Sequence, residues 1–213
     1  MIIAVDGPTA SGKGTIARAL ADHFGLPHLD TGLLYRAVGV HCVALGGDPD
    51  IPGEALAGCG FGDALLDDPV LRSEAAGGLA SRASRHPAVR TALLERQRAF
   101  ACQPGGAVLD GRDIGTVIAP DADVKLYVTA SVAARAARRH AEMRARGEAV
   151  TMEEIAADLA ARDARDSNRA VAPLKPAKDA LLLDTSDLTI GGAVRRAIEL
   201  VNGKIEGGTP AQS

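Results

Sequence analysis

Short apolar runs ending on a polar residue alternate along this chain with longer stretches whose apolar positions recur every three or four residues. Runs of the first kind predict buried strands at Ile2–Asp6, His28–Asp30, Ala107–Asp110, Asp123–Val128 and Leu181–Asp184. Stretches of the second kind predict helices over Lys13–Phe24, Leu33–Ala44, Leu71–Arg85, Pro87–Ala101, Val132–Ala145, Met152–Asp166 and Gly192–Val201. The alternation is that of βαβ units, so the expected class is α/β with a parallel sheet flanked by helices. Ligands of such sheets gather at the carboxyl ends of the strands, where Asp6, Asp30, Asp110 and Asp184 fall. Between Gly46 and Asp68 the periodicity fades into Gly, Pro and Asp, which reads as a surface excursion. The segment Gly207–Ser213 has too little apolar content to pack and is expected to be disordered.

Between the first strand and the first helix lies Gly7-Pro8-Thr9-Ala10-Ser11-Gly12-Lys13-Gly14-Thr15. Glycines let successive backbone N–H groups curl around an anion, the helix adds its positive end, and a lysine reaches the outer phosphates. This is a phosphate-binding loop, and it makes nucleotide chemistry the leading hypothesis. The strict pattern carries Ser or Thr directly after the lysine, whereas here Gly14 follows and the hydroxyl comes at Thr15.

Composition narrows the remaining classes. The chain has 213 residues, is 46% hydrophobic and carries a formal charge of −3, which suits one soluble α/β domain. No apolar stretch approaches the ~20 residues of a membrane span, and the first residues lack the pattern of a secretion signal, so the expectation is a cytoplasmic protein. Cys42, Cys59 and Cys102 are far apart and odd in number, and none of the five histidines has a metal-ligand spacing. Reduced thiols without structural zinc follow. Aromatic residues make up 2% of the chain, too few for the stacking platforms that bind nucleic-acid polymers.

Ala107-Val108-Leu109-Asp110 is a buried-strand run ending in a carboxylate, the type of residue that stands beside phosphate-bound Mg²⁺ through water. Asp110 is therefore the candidate metal-side acid, with the Thr15 hydroxyl as second candidate. Gly111-Arg112-Asp113 then sets a cation and another acid at the mouth of the same cleft. Arg135, Arg138 and Arg139, and later Arg162, Arg165 and Arg169, recur at helical spacing and share helix faces. A basic face is ordinarily just solvated. Phosphoryl transfer, however, concentrates negative charge on two facing phosphate chains, and the planar fork of arginine suits their oxygens. No Ser-His-Asp or Cys-His arrangement stands out, and none is needed, because a phosphate monoester acceptor is already anionic with a second pKa of about 6.

Four segments together resemble the bacterial cytidylate kinases: Asp6-Gly-Pro-Thr-Ala-Ser-Gly-Lys-Gly-Thr15, Leu29-Asp-Thr-Gly-Leu-Leu-Tyr-Arg36, Leu109-Asp-Gly-Arg-Asp-Ile-Gly-Thr116 and Arg162-Asp-Ala-Arg-Asp-Ser-Asn-Arg-Ala-Val-Ala-Pro173. The last two are the specific ones within the nucleoside monophosphate kinases. The resemblance spans about Ile2 to Val201. It implies a P-loop NTPase fold with a five-stranded parallel sheet, and transfer of the ATP γ-phosphoryl group to CMP or dCMP with Mg²⁺. A single kinase domain over 1–203 is implied, with core 1–31, 87–137 and 170–203, an acceptor-binding region 32–86, and an arginine-rich lid at about 138–163, followed by a tail at 204–213. The loop residues Gly7 to Thr15 would hold ATP. Lys13, Arg112, Arg162, Arg169 and Asp110 would carry the chemistry. Tyr35, Arg36, Arg112 and Arg169 would meet the CMP phosphate, Arg162 and Asp166 the sugar hydroxyls, and Ser81, Arg90 and Asp113 the base, with Thr31 near the acceptor. A carboxylate at Asp113 accepts from the cytosine amine while Arg90 and Ser81 donate to the ring. The stretch between Thr31 and Ser81 is shorter than in the longer bacterial members, whose acceptor region carries an inserted small sheet.

Two other readings compete. One is a kinase of this fold with another monophosphate acceptor, UMP or AMP. The other is a nucleotide-dependent switch module, which would need a partner surface and a guanine-reading run that this sequence lacks. The expected partners are ATP and CMP or dCMP, without nucleic-acid polymer or membrane, and the expected state is a monomer.

Overall fold

The computed structural model describes residues 1–208. Five strands, β1 (Ile2–Asp6), β2 (His28–Asp30), β3 (Ala107–Gly111), β4 (Val124–Thr129) and β5 (Leu181–Asp184), form one sheet in the order β2-β3-β1-β4-β5, every pair parallel. Each expected strand is present within one residue at either end. All five carboxyl ends lie along one edge, so the turns following β1, β3 and β4 are neighbours there although they are remote in sequence.

Among the described residues eight α-helices surround the sheet: α1 (Lys13–Phe24), α2 (Thr31–Ala44), α3 (Pro52–Ala57), α4 (Glu74–Ala83), α5 (Pro87–Ala101), α6 (Val132–Ala145), α7 (Met152–Ser167) and α8 (Ile190–Gly208). On one sheet face Ile3, Val5, Val108 and Leu126 meet Ile16 and Leu20 of α1 and Ala197 and Val201 of α8. The opposite face buries Ala4 and Leu109 against Ile114, Ile118 and Ala101. Local rules fix the helix ends. Gly25 ends α1 at φ 64°, a left-handed position where a β-carbon would be strained, and its N–H closes on the Ala21 carbonyl. Thr151 and Glu154 form a reciprocal capping box at the start of α7.

Two further apolar clusters lie mainly between helices, the first touching the sheet at Leu29. One joins α2, α3 and α5 through Leu34, Val38, Ala55, Phe61, Leu71, Val89 and Leu93. The other holds α6 to α7 through Ala136, Met143, Ile155 and Leu159, with Ala10, Val150 and Ala156 packed at its edge. A helix pair with so small a core of its own has few contacts to lose on changing its angle to the sheet.

Three expectations need correction. The 46–68 stretch is not merely a surface excursion, because it contains α3 and buries Ala55 and Phe61 against α2 and its neighbours. Its Gly-rich composition hid a helix of only six residues. The helix expected over Leu71–Arg85 is interrupted: a 3₁₀ turn over Pro69–Arg72 ends at Ser73, whose side chain accepts from the Ala76 N–H and starts α4 anew. Finally, α8 continues past Val201 to Gly208, taking in 204–208 of the segment expected to be a tail, while 209–213 lie outside the described residues. No helix among the described residues is long and apolar enough to cross a membrane.

Candidate active site

Gly7 leaves β1 where a β-carbon would sit 2.0 Å from the Val128 carbonyl oxygen, so only glycine lets β1 and β4 run this close at the turn. Ala10 at φ 61° and Gly12 at φ 89° then bend the chain through left-handed positions before α1 begins at Lys13. The Ser11 hydroxyl is buried in this loop without a protein partner. Beneath it, Asp6 is buried and accepts from the Ile114 and Gly115 N–H groups at 2.8 Å each, tying the loop's root to the turn after β3. Burial pushes Asp6 up to about 7 against the pull of those two donors.

Two cavities meet at the lysine. One, of about 560 Å³, runs along Ala10, Gly12, Thr15, Arg138, Thr185 and Leu188. The other, of about 250 Å³, lies on the opposite side of the loop under α2, α4 and α7. Ala10, Lys13, Gly14 and Arg139 line both. Lys13 is half-buried between them, and burial, with Arg112 nearby, pushes its ammonium down to about 8 although Asp110 and Asp30 pull the other way. Gly7 and Pro8 shape the loop but line neither cavity, and Thr15 is exposed on the rim of the larger one.

Every acceptor-side residue expected from sequence lines the smaller cavity: Thr31, Tyr35, Arg36, Ser81, Arg90, Arg112, Asp113, Arg162, Asp166 and Arg169, together with Asp110. The guanidiniums there are held by acids and carbonyls. Arg112 Nε is 2.8 Å from Asp166 and its Nη2 donates to Thr9 Oγ1 at 2.7 Å, while Arg169 pairs with the other oxygen of Asp166. Burial would raise the Asp166 carboxyl, but Arg112 and Arg169 outweigh it and hold it below its usual range. Arg36 Nη1 donates to the Leu71 and Ser73 carbonyls at 2.7 and 2.9 Å, fixing α2 to the start of α4. At the far end Arg90 and Asp113 form a buried ion pair beside Tyr35, with the Arg90 guanidinium 5.4 Å from the ring centre.

Ser84 was not singled out from sequence, and Asp30 and Arg139 were marked only as a strand-end acid and a helix-face cation. Asp30 and Ser84 line the smaller cavity, and Arg139 reaches both. Burial and the adjacent Asp110 raise the Asp30 carboxyl. Its position at the carboxyl end of β2 was the available signal. Arg135, grouped by spacing with Arg138 and Arg139, does not join the cavity. It is buried, paired with Asp163, and donates to the Thr9 carbonyl at 3.1 Å. Arg165 instead donates to Ser81 Oγ at 3.2 Å.

A protein-family model for cytidylate kinases matches residues 3–50 and 61–203. The chain belongs to the cytidylate kinase family. A cytidylate kinase of Xanthobacter autotrophicus is 54% identical over 207 residues, covering 97% of this chain and all of that one. One from Cereibacter sphaeroides is 57% identical, covering 93% and 94%. The gap in the family match, 51–60, coincides with α3 and the turn after it, the segment whose periodicity was weakest. Among solved structures, an uncharacterized protein from Eubacterium ventriosum shares the fold, with a TM-score of 0.53 at 15% identity over 95% of this chain and 98% of that one.

Among the described residues no cluster of three or more His, Cys, Asp or Glu side chains could chelate a metal unaided. Asp110 is buried, one of its oxygens is taken by His28, and the other, Oδ2, faces Gly14, 3.7 Å from where a β-carbon there would lie. A single carboxylate beside a phosphate loop suits Mg²⁺, which is normally held by one or two carboxylates, substrate phosphates and water.

Proposed function

We propose that this member of the cytidylate kinase family transfers the γ-phosphoryl group of ATP to the phosphate of CMP or dCMP. The observation that carries the reading is the pair of cavities sharing Lys13, Gly14 and Arg139 as a common wall, one on the glycine loop and the other under guanidiniums. ATP takes the larger cavity, with its phosphates on the loop N–H groups and the start of α1. The monophosphate takes the smaller one.

Arg36, Arg112 and Arg169 hold the acceptor phosphate, Arg162 and Asp166 the sugar hydroxyls, and Ser81, Arg90 and Asp113 the base. Asp113 accepts from the cytosine amine, and Arg90 pairs with that carboxylate in its buried position. Uracil would set an oxygen against the same carboxylate, leaving two acceptors without a proton between them. Lys13, at the junction, meets the oxygens of the migrating group, where its charge counts most as that group loosens from the donor. Asp110, seconded by Thr15, would hold Mg²⁺ through water; when bound, the ion neutralises charge on the donor phosphates. No side chain is required as general base, since the acceptor arrives as an anion.

The lid over 138–163, the loop-facing part of α6 and α7, closes over both substrates and keeps water from the γ-phosphoryl group. The small separate core of this helix pair and the Arg162 contact to Glu74 of α4 at 3.4 Å are what support it. A coupled assay of ADP release with CMP, dCMP, UMP, AMP and GMP tests the reading: CMP or dCMP is expected as best acceptor. UMP or AMP in that rank, or tight ATP binding without transfer, would reject it.

A further inference from the structure

His28 sits at the start of β2, in register with Val108 and two residues before Asp30. Side chains alternate along parallel strands, so His28, Asp30, Val108 and Asp110 share one sheet face. The ring of His28 is mostly covered, 15% exposed, and its Nε2 lies 2.8 Å from Asp110 Oδ1. An ionised carboxylate only accepts hydrogen bonds, so the ring nitrogen is the donor. The Asp110 backbone is fixed independently, by its carbonyl accepting from Thr31 Oγ1 at 2.8 Å. Asp110 therefore has one oxygen engaged by histidine and the other, Oδ2, directed at Gly14 of the phosphate loop.

We infer that His28 is a positioning residue that selects which oxygen of Asp110 is presented to the metal-nucleotide complex. Two features of the neighbourhood make such a selector necessary. Asp30, on the same face, repels the Asp110 carboxylate, and the Lys13 ammonium attracts it, so an unanchored side chain would turn either oxygen toward that ammonium instead of keeping Oδ2 on Gly14. The hydrogen bond from β2 opposes that rotation. A donor behind a metal-side carboxylate fixes its orientation, and loss of such a partner typically weakens metal affinity by about 10- to 100-fold.

The inference rests on the assignment of Asp110 to the metal side of an ATP site, and the test separates the two. ATP affinity is measured calorimetrically in EDTA and in Mg²⁺, and the ratio of the two dissociation constants is compared across variants, with melting temperatures as a fold control. In His28→Leu the ratio is expected to shrink by about tenfold while affinity in EDTA is unchanged. His28→Gln, whose amide reaches about as far as Nε2, is expected to keep the wild-type ratio. Equal loss in the Gln and Leu variants, or none in Leu while Asp110→Asn loses the Mg²⁺ effect, would overturn the role of His28 alone. An unchanged ratio in Asp110→Asn would overturn the metal assignment and this inference with it.

Discussion

The donor cavity and the acceptor cavity share a wall but are built by opposite means. As proposed, the donor side takes its phosphate contacts from one contiguous loop, 7–15, whose glycines let the backbone itself serve as the ligand. The acceptor side collects side chains from α2, α4, α5, the end of β3 and α7, and holds them in position with ion pairs. Backbone amides bind any polyphosphate, so the donor side is robust and unselective toward what is attached beyond it. Side chains can be matched to one base, but each buried charge requires a partner, and removal of either leaves the other stranded.

The sharpest way to break this contrast is at Lys13, the loop's own cation at the junction of the two cavities. Lys13→Ala is expected to lower kcat by well over ~100-fold with CMP affinity little changed, because the charge acts on the migrating group rather than on the bound acceptor. Steady-state kinetics against a calorimetric CMP titration checks it, and near-normal turnover would remove Lys13 from the chemistry.

The same lysine sharpens the comparison through pH. Free Lys13 titrates at about 8, lowered by burial, and ATP phosphates favour the charged ammonium. Below pH 8 the charge is already present. Above it, binding must take up a proton, so ATP affinity measured in EDTA is expected to fall toward tenfold per pH unit. Lys13→Arg should abolish that slope, since a guanidinium stays charged throughout. On the acceptor side the corresponding cations are arginines, so CMP affinity should stay flat over the same interval.

Selectivity is the acceptor side's property, and Asp113→Asn probes it with a smaller effect. An amide keeps one oxygen for Arg90 and offers an N–H where uracil presents oxygen. The CMP-over-UMP ratio in kcat/KM is expected to narrow by at least about tenfold. An unchanged ratio would mean that the base is read elsewhere.

The same contrast governs how far the site was legible in sequence. A backbone-made site is local, so spacing alone revealed the loop from Gly7 to Thr15, and strand ends marked Asp110. An assembled site is not local. Helical spacing gave Arg135, Arg138 and Arg139 one face, but it holds no information about Asp163, 28 positions away, which covers Arg135 and turns it into a tie to the Thr9 carbonyl. Strand ends and helical spacing marked Arg112, Asp113, Arg162 and Arg169 as candidates, but Arg36 and Arg90 entered through resemblance to a family, not through periodicity. His28 looked like an ordinary histidine because its partner stands 82 residues away on the neighbouring strand. The α8 overrun has a different cause: intrinsic propensity penalises Gly203, Gly207 and Gly208, yet the helix continues through them.

Beneath both cavities Asp6 joins the turn after β1 to the turn after β3, and its effect is the mildest of the four. Its folded pKa, raised by burial to about 7, lies above the ordinary aspartate value of 3.8, so the folded state binds the proton more tightly. Its contribution to stability is then fully present below pH 4 and is lost as pH rises to 7, with no further change above. Asp6→Asn removes that titration and loses one of the two N–H contacts, because the amide nitrogen cannot accept. Thermal melts should show a lower Tm by a few degrees, from a loss of about 1–3 kcal/mol, and a flatter dependence between pH 5 and 7 than in the parent. Because the same carboxylate roots the phosphate loop, ATP affinity should fall alongside Tm while CMP affinity is spared; equal losses on both sides would mean that the two cavities are not mechanically separable.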